Sequence, residues 1–446
     1  MWINIEVIPQ DEDTIYLPQK IAERFNTKIN VAFAKRVIMA IVKPAPDNKT
    51  DEGQSFENPL RIMFSHKLAF KLQLLKSLTY QMKFNEHAIF IGPVIGLLLG
   101  RNNHLYSPFH MEKYSDRFGI YNKVGGLIYA FSPETIDWKN SVAYGLYYNN
   151  IKNAWQFGRF PLPTVIYRRD FHSKAETTKK LIKFTNAKMF NSCRFTKFVL
   201  FKYIKKDKDL SKYLPPTELS IDFKQVKSFI NKYNNIILKP IGLSRGRGIC
   251  IIKKDGNYYN ISDYRNPEPI EMRLAGDEAL KGYFKKNKDF FDRYLIQKHL
   301  SLAQVDGSPF DIRVVMQKER PPEWKCTGIE CRVAAPKSLV TNISRGGYAL
   351  TIDEALKGAL PGCAEEHGSI KLKLDDLCHK LCESLDKSGH HFAEFGVDIA
   401  IDEDKGLWII EVNVFPSFKG FKEMDYDTYL KIRYTPISYA AYLAGF

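Results

Sequence analysis

The stretch HHFAEFGVDIAIDEDKGLWIIEVNVFPSFKG, residues 390–420, constrains the fold of this chain more than any other. Apolar and polar residues alternate before and after the polar segment 403–406, a pattern that predicts a β-hairpin with a four-residue connection. If Asp402 pairs with Leu407 across that connection, the other pairs follow from the two-residue period of side chains along a strand. The hairpin therefore has a definite predicted register.

That register places three oxygen-bearing side chains on one face of the hairpin. Asp398 lies opposite Glu411, and Asn413 follows two residues later on the same side. Opposed carboxylates repel each other, and a hard cation such as Mg²⁺ removes that cost because it prefers oxygen ligands. The pattern predicts a metal site at these three residues. An ordinary solvated hairpin face is the alternative.

A glycine-containing loop lies between two apolar runs in residues 236–254. The loop holds Gly242, Gly246 and Gly248, and backbone N–H groups in such a loop can surround a phosphate. Lys239 ends the first run, where its ammonium group can reach the same phosphate. The motif is neither a Walker A loop nor a Rossmann fingerprint. A plain β-turn is therefore the alternative to a phosphate-binding lid.

Two further predicted strands carry charges among apolar neighbours. The run FDIRVVMQK contains Asp311 and Arg313, and the run CTGIECRVAA contains Glu330 and Arg332. A charge inside such a strand is costly unless it is paired or bound to a ligand. Structural ion pairs between Asp311 and either arginine are one explanation, and a ligand site is the other.

Taken in order, these pieces resemble the ATP-grasp fold: a strand lysine, a glycine lid, a nucleotide hinge, a D-x-R strand and an Asp…Glu-x-Asn metal set. Further motifs are similar to the YheC/YheD family of endospore coat-associated proteins over roughly residues 60–425. These motifs are GPVIGLLLG, YAFSPETIDW, FPLPTVIYRR, NSCRFTKF, LPPTE, IILKPIGLSRGRGI, DIRVVMQ, RVAAPKSLVTNISRGG and IIEVNVFPS. The C-terminal half is also similar to the ribosomal-protein glutamate ligases and to D-alanine–D-alanine ligase.

The resemblance, together with the strand pattern, implies an α/β fold of the ATP-grasp type with three domains. Residues 1–86 form a small β-rich domain, residues 87–175 an α/β pre-ATP-grasp domain with a mostly parallel sheet, and residues 176–446 the ATP-grasp domain. Within the last domain we expect a lid subdomain at about 190–297 and a metal-binding subdomain at about 298–446.

The resemblance also implies which residues bind the nucleotide. They are Lys197, Lys239, Ser244, Gly246, Gly248, Lys298, His299, Asp311 and Asn342. In this arrangement the two lysines hold the α- and β-phosphates and the glycine loop closes over them. The backbone at residues 298–299 meets the adenine, Asp311 helps to seat the nucleotide, and Asn342 lies near the metal.

Catalytic contacts with the γ-phosphate and an acyl phosphate are implied for Arg313 and Arg332, together with Lys239. Binding of Mg²⁺, with Mn²⁺ as an alternative, is implied for the Asp398, Glu411 and Asn413 set. One position departs from the glutamate ligases: they carry an arginine two residues before the asparagine of the last glycine motif, and this chain has Val340. Glutamate specificity is therefore not carried over.

Composition limits the kinds of partner. Lys and Arg number 66 against 50 Asp and Glu, an excess that suits an anionic partner such as a nucleotide, an acidic peptide or a nucleic acid. The lysine-rich segment 202–212 is better explained as a solvated helix end than as a nucleic-acid site.

Seven scattered cysteines predict reduced thiols, and Cys378 and Cys382 fit a half-buried helix better than a metal site. The apolar run 88–100 is too short to cross a membrane and no signal peptide is found.

These features lead to one main functional hypothesis. It is an ATP- and Mg²⁺-dependent ligase that joins a carboxylate to an amine through an acyl phosphate, acting on a peptide or a coat protein. The resemblance places it in the mother-cell cytoplasm and the spore coat. A non-catalytic, ATP-binding structural protein of the coat is the alternative, and a nucleic-acid binder is a third hypothesis that rests on net charge alone.

Overall fold

The computed structural model describes most of the chain. The described residues are 1–46, 55–100, 107–170, 175–243, 247–266, 268–336, 341, 346–360, 362 and 364–446. Three predicted nucleotide-binding residues, Ser244, Gly246 and Asn342, lie outside these ranges, as does Val340. The described residues form a closed barrel and three open sheets with helices packed against them. The fold is therefore mixed α/β, as the sequence predicts.

The N-terminal barrel is closed in the order β1-β5-β2-β4-β3-β7-β6, which leaves no strand edge open. Its elements are β1 (Trp2–Ile8), β2 (Thr14–Leu17), α1 (Gln19–Ala22), β3 (Lys28–Phe33), β4 (Arg36–Pro44), β5 (Leu60–Ser65), α2 (His66–Leu72), β6 (Thr79–Phe84) and β7 (Ala88–Gly92). Strand β7 pairs with β3 and β6. The barrel thus extends past the predicted boundary at residues 86–87, and only the second half of the apolar run 88–100 belongs to the next sheet.

The second sheet has the order β11-β10-β9-β8-β12-β13. Its elements are β8 (Val94–Leu98), α3 (Pro108–Ser115), a 3₁₀ turn (Asp116–Phe118), α4 (Tyr121–Val124), β9 (Leu127–Asp137), β10 (Val142–Asn149), β11 (Ala154–Pro161), β12 (Val165–Arg168), α5 (Ala175–Thr185) and β13 (Lys188–Phe190). Strands β9, β8, β12 and β13 are parallel to one another, and β10 and β11 are antiparallel. The expected mostly parallel sheet is present.

The third sheet is antiparallel throughout and has the order β14-β19-β15-β16-β17-β18. Its region comprises α6 (Lys197–Lys205), α7 (Lys208–Ser211), β14 (Thr217–Leu219), α8 (Phe223–Tyr233), β15 (Asn235–Pro240), β16 (Cys250–Asp255), β17 (Tyr258–Asp263), β18 (Ile270–Ala275), α9 (Gly276–Lys286), a 3₁₀ turn (Lys288–Phe290) and β19 (Tyr294–Lys298). Helices α8 and α9 cover one face with a separate apolar core. The glycine loop connects β15 to β16, so it lies between strands as predicted.

The fourth sheet has the order β23-β22-β21-β24-β25, with β20 paired to β21. Its region comprises β20 (Gln304–Val305), β21 (Ser308–Lys318), β22 (Trp324–Val333), β23 (Tyr348–Leu350), α10 (Ile352–Ala359), α11 (Ala364–Asp386), β24 (Glu394–Ile401), β25 (Leu407–Asn413), α12 (Lys419–Met424) and α13 (Tyr426–Leu443). Helix α11 packs on this sheet through Leu374, Leu377 and Leu381. Cys378 and Cys382 are fully buried beside them, so the predicted packing role of these cysteines is confirmed.

The end of the chain packs against its beginning. Ile437, Tyr439 and Ala440 of α13 belong to the same apolar core as the barrel and the second sheet. The Lys83 ammonium on β6 donates to the carbonyl of Gly445 at 2.6 Å. Helix α13 also contacts β21 and β22, so it links the second sheet to the fourth sheet.

Buried charges meet where α13 packs on the second sheet. The Glu394 carboxylate, fully buried on β24, accepts from Arg169 at 2.9 Å, Tyr167 at 3.1 Å and Gln317 at 2.9 Å. Arg117 is 1% exposed, and its Nε and Nη1 atoms have no hydrogen-bond partner among the residues that the structure describes. We call the group formed by Arg117, Tyr167, Arg169, Glu394 and Arg433 the interface cluster.

Two further observations bear on the expected environment. Among the described residues, no helix combines the length and the apolar composition needed to cross a membrane. Six of the seven cysteines lie in the described ranges, and all six are free thiols. The seventh, Cys363, lies outside those ranges.

Candidate functional site

The hairpin that dominates the sequence is β24–β25, and its central pair is as predicted. Asp398 lies directly opposite Glu411. The predicted pairing at the turn is wrong, however, because Ile401 and not Asp402 pairs with Leu407. The Asp402 carboxylate instead accepts from the backbone N–H of Gly406 at 2.6 Å and from a tryptophan ring N–H.

A β-bulge corrects the register between the turn and the site. Ile399 pairs with Ile409, whereas Asp398 pairs with Glu411, so β25 carries one extra residue at this point. A bulge of this kind redirects the side chains that follow it. The one-residue difference at the turn and the extra residue at the bulge cancel, which is why the two carboxylates are opposed as predicted.

Four charged side chains form one row across the fourth sheet. Glu330, Arg313, Asp398 and Glu411 are directly paired from β22 through β21 and β24 to β25. Directly paired residues share a face of a sheet, so the row alternates in sign except at its last two members. We call these four residues the charged row.

The arginines on this face are held by aspartates. Arg313 donates through Nε and Nη2 to Asp398, the latter at 2.9 Å, and Arg332 Nη2 lies 3.1 Å from the same carboxylate. Arg332 also donates twice to Asp311, each time at 2.6 Å, and Thr341 donates to Asp311 at 2.7 Å. The expected Asp311–Arg332 ion pair is therefore present, whereas Arg313 pairs with Asp398 and not with Asp311. Although burial acts in the opposite direction, the two guanidiniums hold the pKa of Asp398 below its ordinary value.

Glycine at position 396 lets the next segment of chain approach this pair. A Cβ atom at Gly396 would lie 2.5 Å from Cβ of Pro416 and 3.1 Å from Cδ of Arg313. Arg313 also reaches the carbonyl of Ser417 at 3.4 Å. The segment after β25 thus closes one side of the site against the arginine.

A cleft of about 730 Å³ separates the third sheet from the fourth. Its lining includes ten of the eleven described residues that the sequence predicts for the site: Lys197, Lys239, Lys298, His299, Asp311, Arg313, Arg332, Asp398, Glu411 and Asn413. Gly248 is the exception. Its φ of +74° fits a tight turn that favours glycine, and its N–H donates to the carbonyl of Tyr264 at 3.3 Å.

Two lysines reach the cleft, one from α6 and one from β15. Lys197 stands in the first turn of α6, where Thr196 caps the helix by accepting from Val199 N–H. Its ammonium donates to a backbone carbonyl of the glycine loop and lies 3.5 Å from Glu411. Lys239 donates to Gln297 at 2.6 Å. Burial, and then the charge of Lys197, lower the pKa of Lys239 to about 8.

Sequence reasoning missed Gln297 and a backbone donor at the hinge. Gln297 is buried and donates to Thr217 at 2.7 Å, which fixes the amide that Lys239 contacts. The sequence feature that could have identified Gln297 is its place as a polar residue inside the apolar run YLIQKHL. The N–H groups of Lys298 and His299 donate to carbonyls of the protein at 2.9 Å each, whereas that of Leu300 finds no acceptor within the described ranges. Leu300, rather than the two predicted residues, offers a free N–H to a ligand.

The end of the cleft near His299 is apolar. His299 is half-buried, and desolvation, followed by the charges of Lys253 and Lys239, lowers the pKa of its imidazole to about 4, so it is neutral at pH 7. Around it, the lining contains Ile237, Ile249, Leu302 and Ala400. A flat, largely uncharged ring fits this end, whereas a polyanion fits the end with the lysines and arginines.

The oxygen donors at the hairpin fit a hard cation. Glu411 and Asn413 present oxygens to the cleft, and the Asn413 amide has no hydrogen-bond partner in the described part of the chain. A carboxylate has about four acceptor positions, of which the arginines use three at Asp398. Three or more His, Cys, Asp or Glu side chains do not converge anywhere in the described ranges. A cation here would thus depend on the carboxamide and on a ligand's own oxygens as well as on the two carboxylates.

Glu330 is the member of the charged row that sequence reasoning left without a role. It is 2% exposed and lines the cleft, and in the described part of the chain its Oε2 atom has no hydrogen-bond partner. Burial raises the pKa of its carboxyl to about 7, although Arg313 and Arg332 act in the opposite direction. The signal was present in the sequence as a charge inside an apolar strand.

Comparison with known proteins connects the cleft to a family. Residues 186–443 match the family model described as YheC/D like ATP-grasp, so the chain belongs to that family. This match confirms the predicted ATP-grasp fold and the resemblance to YheC and YheD.

The chain is also similar to individual proteins. The chain is similar to the endospore coat-associated protein YheD of Bacillus subtilis (strain 168), with 25% identity over 455 residues that cover 97% of this chain and 94% of that protein. It is similar to YheC of the same organism, with 24% identity over 322 residues, 70% of this chain and 85% of that protein. Among solved structures, the ATP-grasp ligase PsnB with precursor peptide PsnA2 and AMPPNP covers 79% of this chain and 99% of its own, with 12% identity and a TM-score of 0.44.

Proposed function

We propose that this YheC/D-like ATP-grasp protein is an ATP- and Mg²⁺-dependent carboxylate–amine ligase. The observation that carries the proposal is the charge of the cleft, which is lined by eight basic and four acidic side chains. An excess of positive charge in a partly enclosed cavity concentrates anions there. Lys239 on the third sheet and the arginines on the fourth sheet can contact a triphosphate from two sides.

In the proposed complex the adenine occupies the apolar end beside His299, and Leu300 donates its N–H to the ring. Lys197 and Lys239 contact the α- and β-phosphates. When bound at Asp398, Glu411 and Asn413, Mg²⁺ neutralises charge on the phosphate oxygens. The lysines contribute point charges of the kind that phosphate groups bind.

Arg313 and Arg332 face the place where charge develops as the γ-phosphoryl group moves to a substrate carboxylate. The product of that step is an acyl phosphate, which an amine attacks to give an amide and inorganic phosphate. The protein contributes position and charge, and it needs no nucleophile of its own. Enclosure between two sheets keeps water from the acyl phosphate.

The substrates and the cellular location are also proposals. The carboxylate and the amine belong to a peptide or a coat protein, and the protein acts in the mother-cell cytoplasm and the spore coat. Support comes from the names of the similar proteins YheD and YheC, which are described as endospore coat-associated.

Nucleotide binding is tested by thermal unfolding with and without Mg-ATP. At a nucleotide concentration of 100 times Kd, we expect the wild type to gain about 2.7 kcal/mol of stability. Glu411→Ala should lose this gain. Glu403→Ala, in the exposed loop of the same hairpin, is the control that keeps it. A wild type that gains no stability from Mg-ATP would reject the proposal.

Ligase activity is tested by mass spectrometry of ATP-dependent products after incubation with an extract of sporulating cells. We expect a product whose mass equals that of a carboxylate and an amine less one water, formed together with ADP and phosphate. Glu411→Ala should not form it. ATP binding without phosphate release in any carboxylate and amine pool would reject the ligase and identify a non-catalytic coat protein.

A further inference from the structure

A carboxylate–amine ligase must bind an amine, and at neutral pH most amines carry a positive charge. A cationic group inside the cleft needs an acidic partner that is not already engaged. Two of the four acidic side chains in the lining are bound by arginines, namely Asp311 and Asp398. A third, Glu411, lies 3.5 Å from Lys197 and belongs to the proposed metal set.

Glu330 is the fourth acidic side chain of the cleft lining. Within the described ranges, no Lys, Arg or His nitrogen lies within ion-pair distance of it, and its buried Oε2 accepts no hydrogen bond. It lies at the opposite end of the charged row from Glu411, directly across from Arg313. A buried carboxylate oxygen without a partner is costly, so the site gains if a ligand supplies a donor there.

We propose that Glu330 binds the ammonium group of the amine substrate. The inference rests on the proposed ligase function and adds a subsite to it. Arg313 separates this subsite from the metal set in the row, so the amine reaches the acyl group from the side away from Glu411. Glu330 is thereby assigned as a substrate-binding residue for a primary amine.

The same carboxylate can take the proton that the amine must lose. The ammonium transfers one proton to Glu330, and the free amine nitrogen attacks the acyl carbon of the acyl phosphate. The C–N bond forms, the C–O bond to the phosphoryl group breaks, and phosphate leaves with that electron pair. The amide nitrogen then loses its second proton to water. Glu330 is suited to the first transfer because burial places its pKa near neutrality.

The surroundings of Glu330 favour an ammonium ion over a second divalent cation. The charged groups that face it are Arg313, Arg332, Asp311 and Asp398. Both aspartates are neutralised by arginines, so Glu330 would have to hold two charges alone, next to two guanidiniums. One carboxylate balances one ammonium.

The test measures amine binding at saturating Mg-AMPPNP, with nucleotide saturation verified for each variant. The probes are methylamine and the twenty proteinogenic amino acids, each compared with its N-acetyl form, which has no charged amine. We expect at least one free amine to bind the wild type, its N-acetyl form not to bind, and Glu330→Gln to weaken the free amine at least tenfold. Glu403→Gln is the matched control.

Two results would overturn the inference while the proposed function stands. They are a wild type that binds Mg-AMPPNP but none of these amines, and a Glu330→Gln variant that keeps the amine affinity within twofold. If Mg-AMPPNP itself does not bind, the proposed function fails and the inference fails with it. Should Glu330→Gln not fold, amine affinity of the wild type is measured against pH. The amine affinity should fall by up to tenfold for each pH unit below about 7, and a flat profile would contradict the assignment of Glu330 as the amine-binding residue.

Discussion

The molecule buries charge in two places, and the two are built differently. The charged row is spread over four adjacent strands of one sheet and opens onto a cleft. The interface cluster is assembled from four separate segments, and its members do not line that cleft. Counting only described residues as partners, the charged row contains an acidic oxygen with no hydrogen bond, and the interface cluster contains arginine nitrogens with none.

The difference teaches that burial of charge does not by itself identify a functional site. Both groups contain fully buried carboxylates, Asp398 in the row and Glu394 in the interface cluster, and each carboxylate is held by arginine. The distinguishing property is access. Charges that face a cavity can exchange partners with a ligand, whereas charges sealed between α13 and the second sheet can only join parts of the protein.

The largest effect is expected from breaking the interface cluster. Glu394→Ala leaves Arg169 buried without its carboxylate, which should cost about 3–5 kcal/mol of unfolding free energy. Urea denaturation measures this loss, and calorimetry should find the Mg-ATP affinity of the folded variant unchanged. Glu319→Ala, which removes a surface pair with Lys325, should cost less than about 1 kcal/mol. Equal costs for the two variants would show that the buried pair of the interface cluster stabilises the fold no more than a surface pair does.

In the cleft, a substitution should weaken nucleotide binding without lowering stability. Lys239→Met removes the half-buried ammonium that we propose contacts a phosphate, so Mg-ATP should bind about 10-fold to 100-fold more weakly, the equivalent of a charge-assisted hydrogen bond. The free energy of unfolding without nucleotide should stay the same or rise. Lys202→Met, on the exposed face of α6, is the control for both measurements. A loss of stability with unchanged nucleotide affinity would show that Lys239 is structural.

At Lys239, stability without nucleotide and affinity for Mg-ATP should change in opposite directions with pH. Its pKa is about 8 in the folded protein against an ordinary value of 10.5, so the unfolded chain binds more protons between those values. The stability of the nucleotide-free wild type, relative to Lys239→Met, should therefore rise with pH through this window. Affinity for Mg-ATP should fall by up to tenfold per pH unit above 8, because the charged form binds phosphate. Lys239→Arg should keep a flat affinity profile, and a flat wild-type profile would contradict the role.

The smallest effect is expected at a half-buried hydrogen bond outside both regions. Trp408→Phe removes the ring N–H that the Asp402 carboxylate accepts at 2.6 Å in the hairpin loop. Because Asp402 keeps the bond from Gly406 N–H, the loss should lie at the lower limit for a bond to a charged group, about 1.5 kcal/mol of unfolding free energy, with nucleotide affinity unchanged. This value gives the scale against which the two buried charge groups are judged. A loss comparable to that of Glu394→Ala would mean that the hairpin loop, rather than the buried charge, governs stability.

Sequence patterns predicted those parts of the fold that depend on local periodicity. The alternation on either side of residues 403–406 coincides with β24 and β25, and the glycine loop lies between β15 and β16. Pairing between strands is less local. The Asp398–Glu411 opposition was right although the turn register was wrong, because a bulge that no residue type signalled restored it.

Contacts between distant segments could not be predicted. Arg169 and Glu394 are 225 residues apart, and nothing near either residue indicates the other. In the same way, Glu330 was recognised as a costly charge, but its lack of a partner depends on how Arg313 and Arg332 are drawn to the aspartates beside them. The roles of Lys197 and the other nucleotide residues came from a family resemblance, and those roles stay predictions.

The packing of α13 against β8 and β12 ties the end of the chain to a sheet that is made much earlier. A ribosome delivers the strands of the second sheet first, but Ile437, Tyr439 and Ala440 join the core of that sheet only when almost the whole chain has been made. If domains fold in N-to-C order, the second sheet therefore lacks these side chains until the last helix emerges.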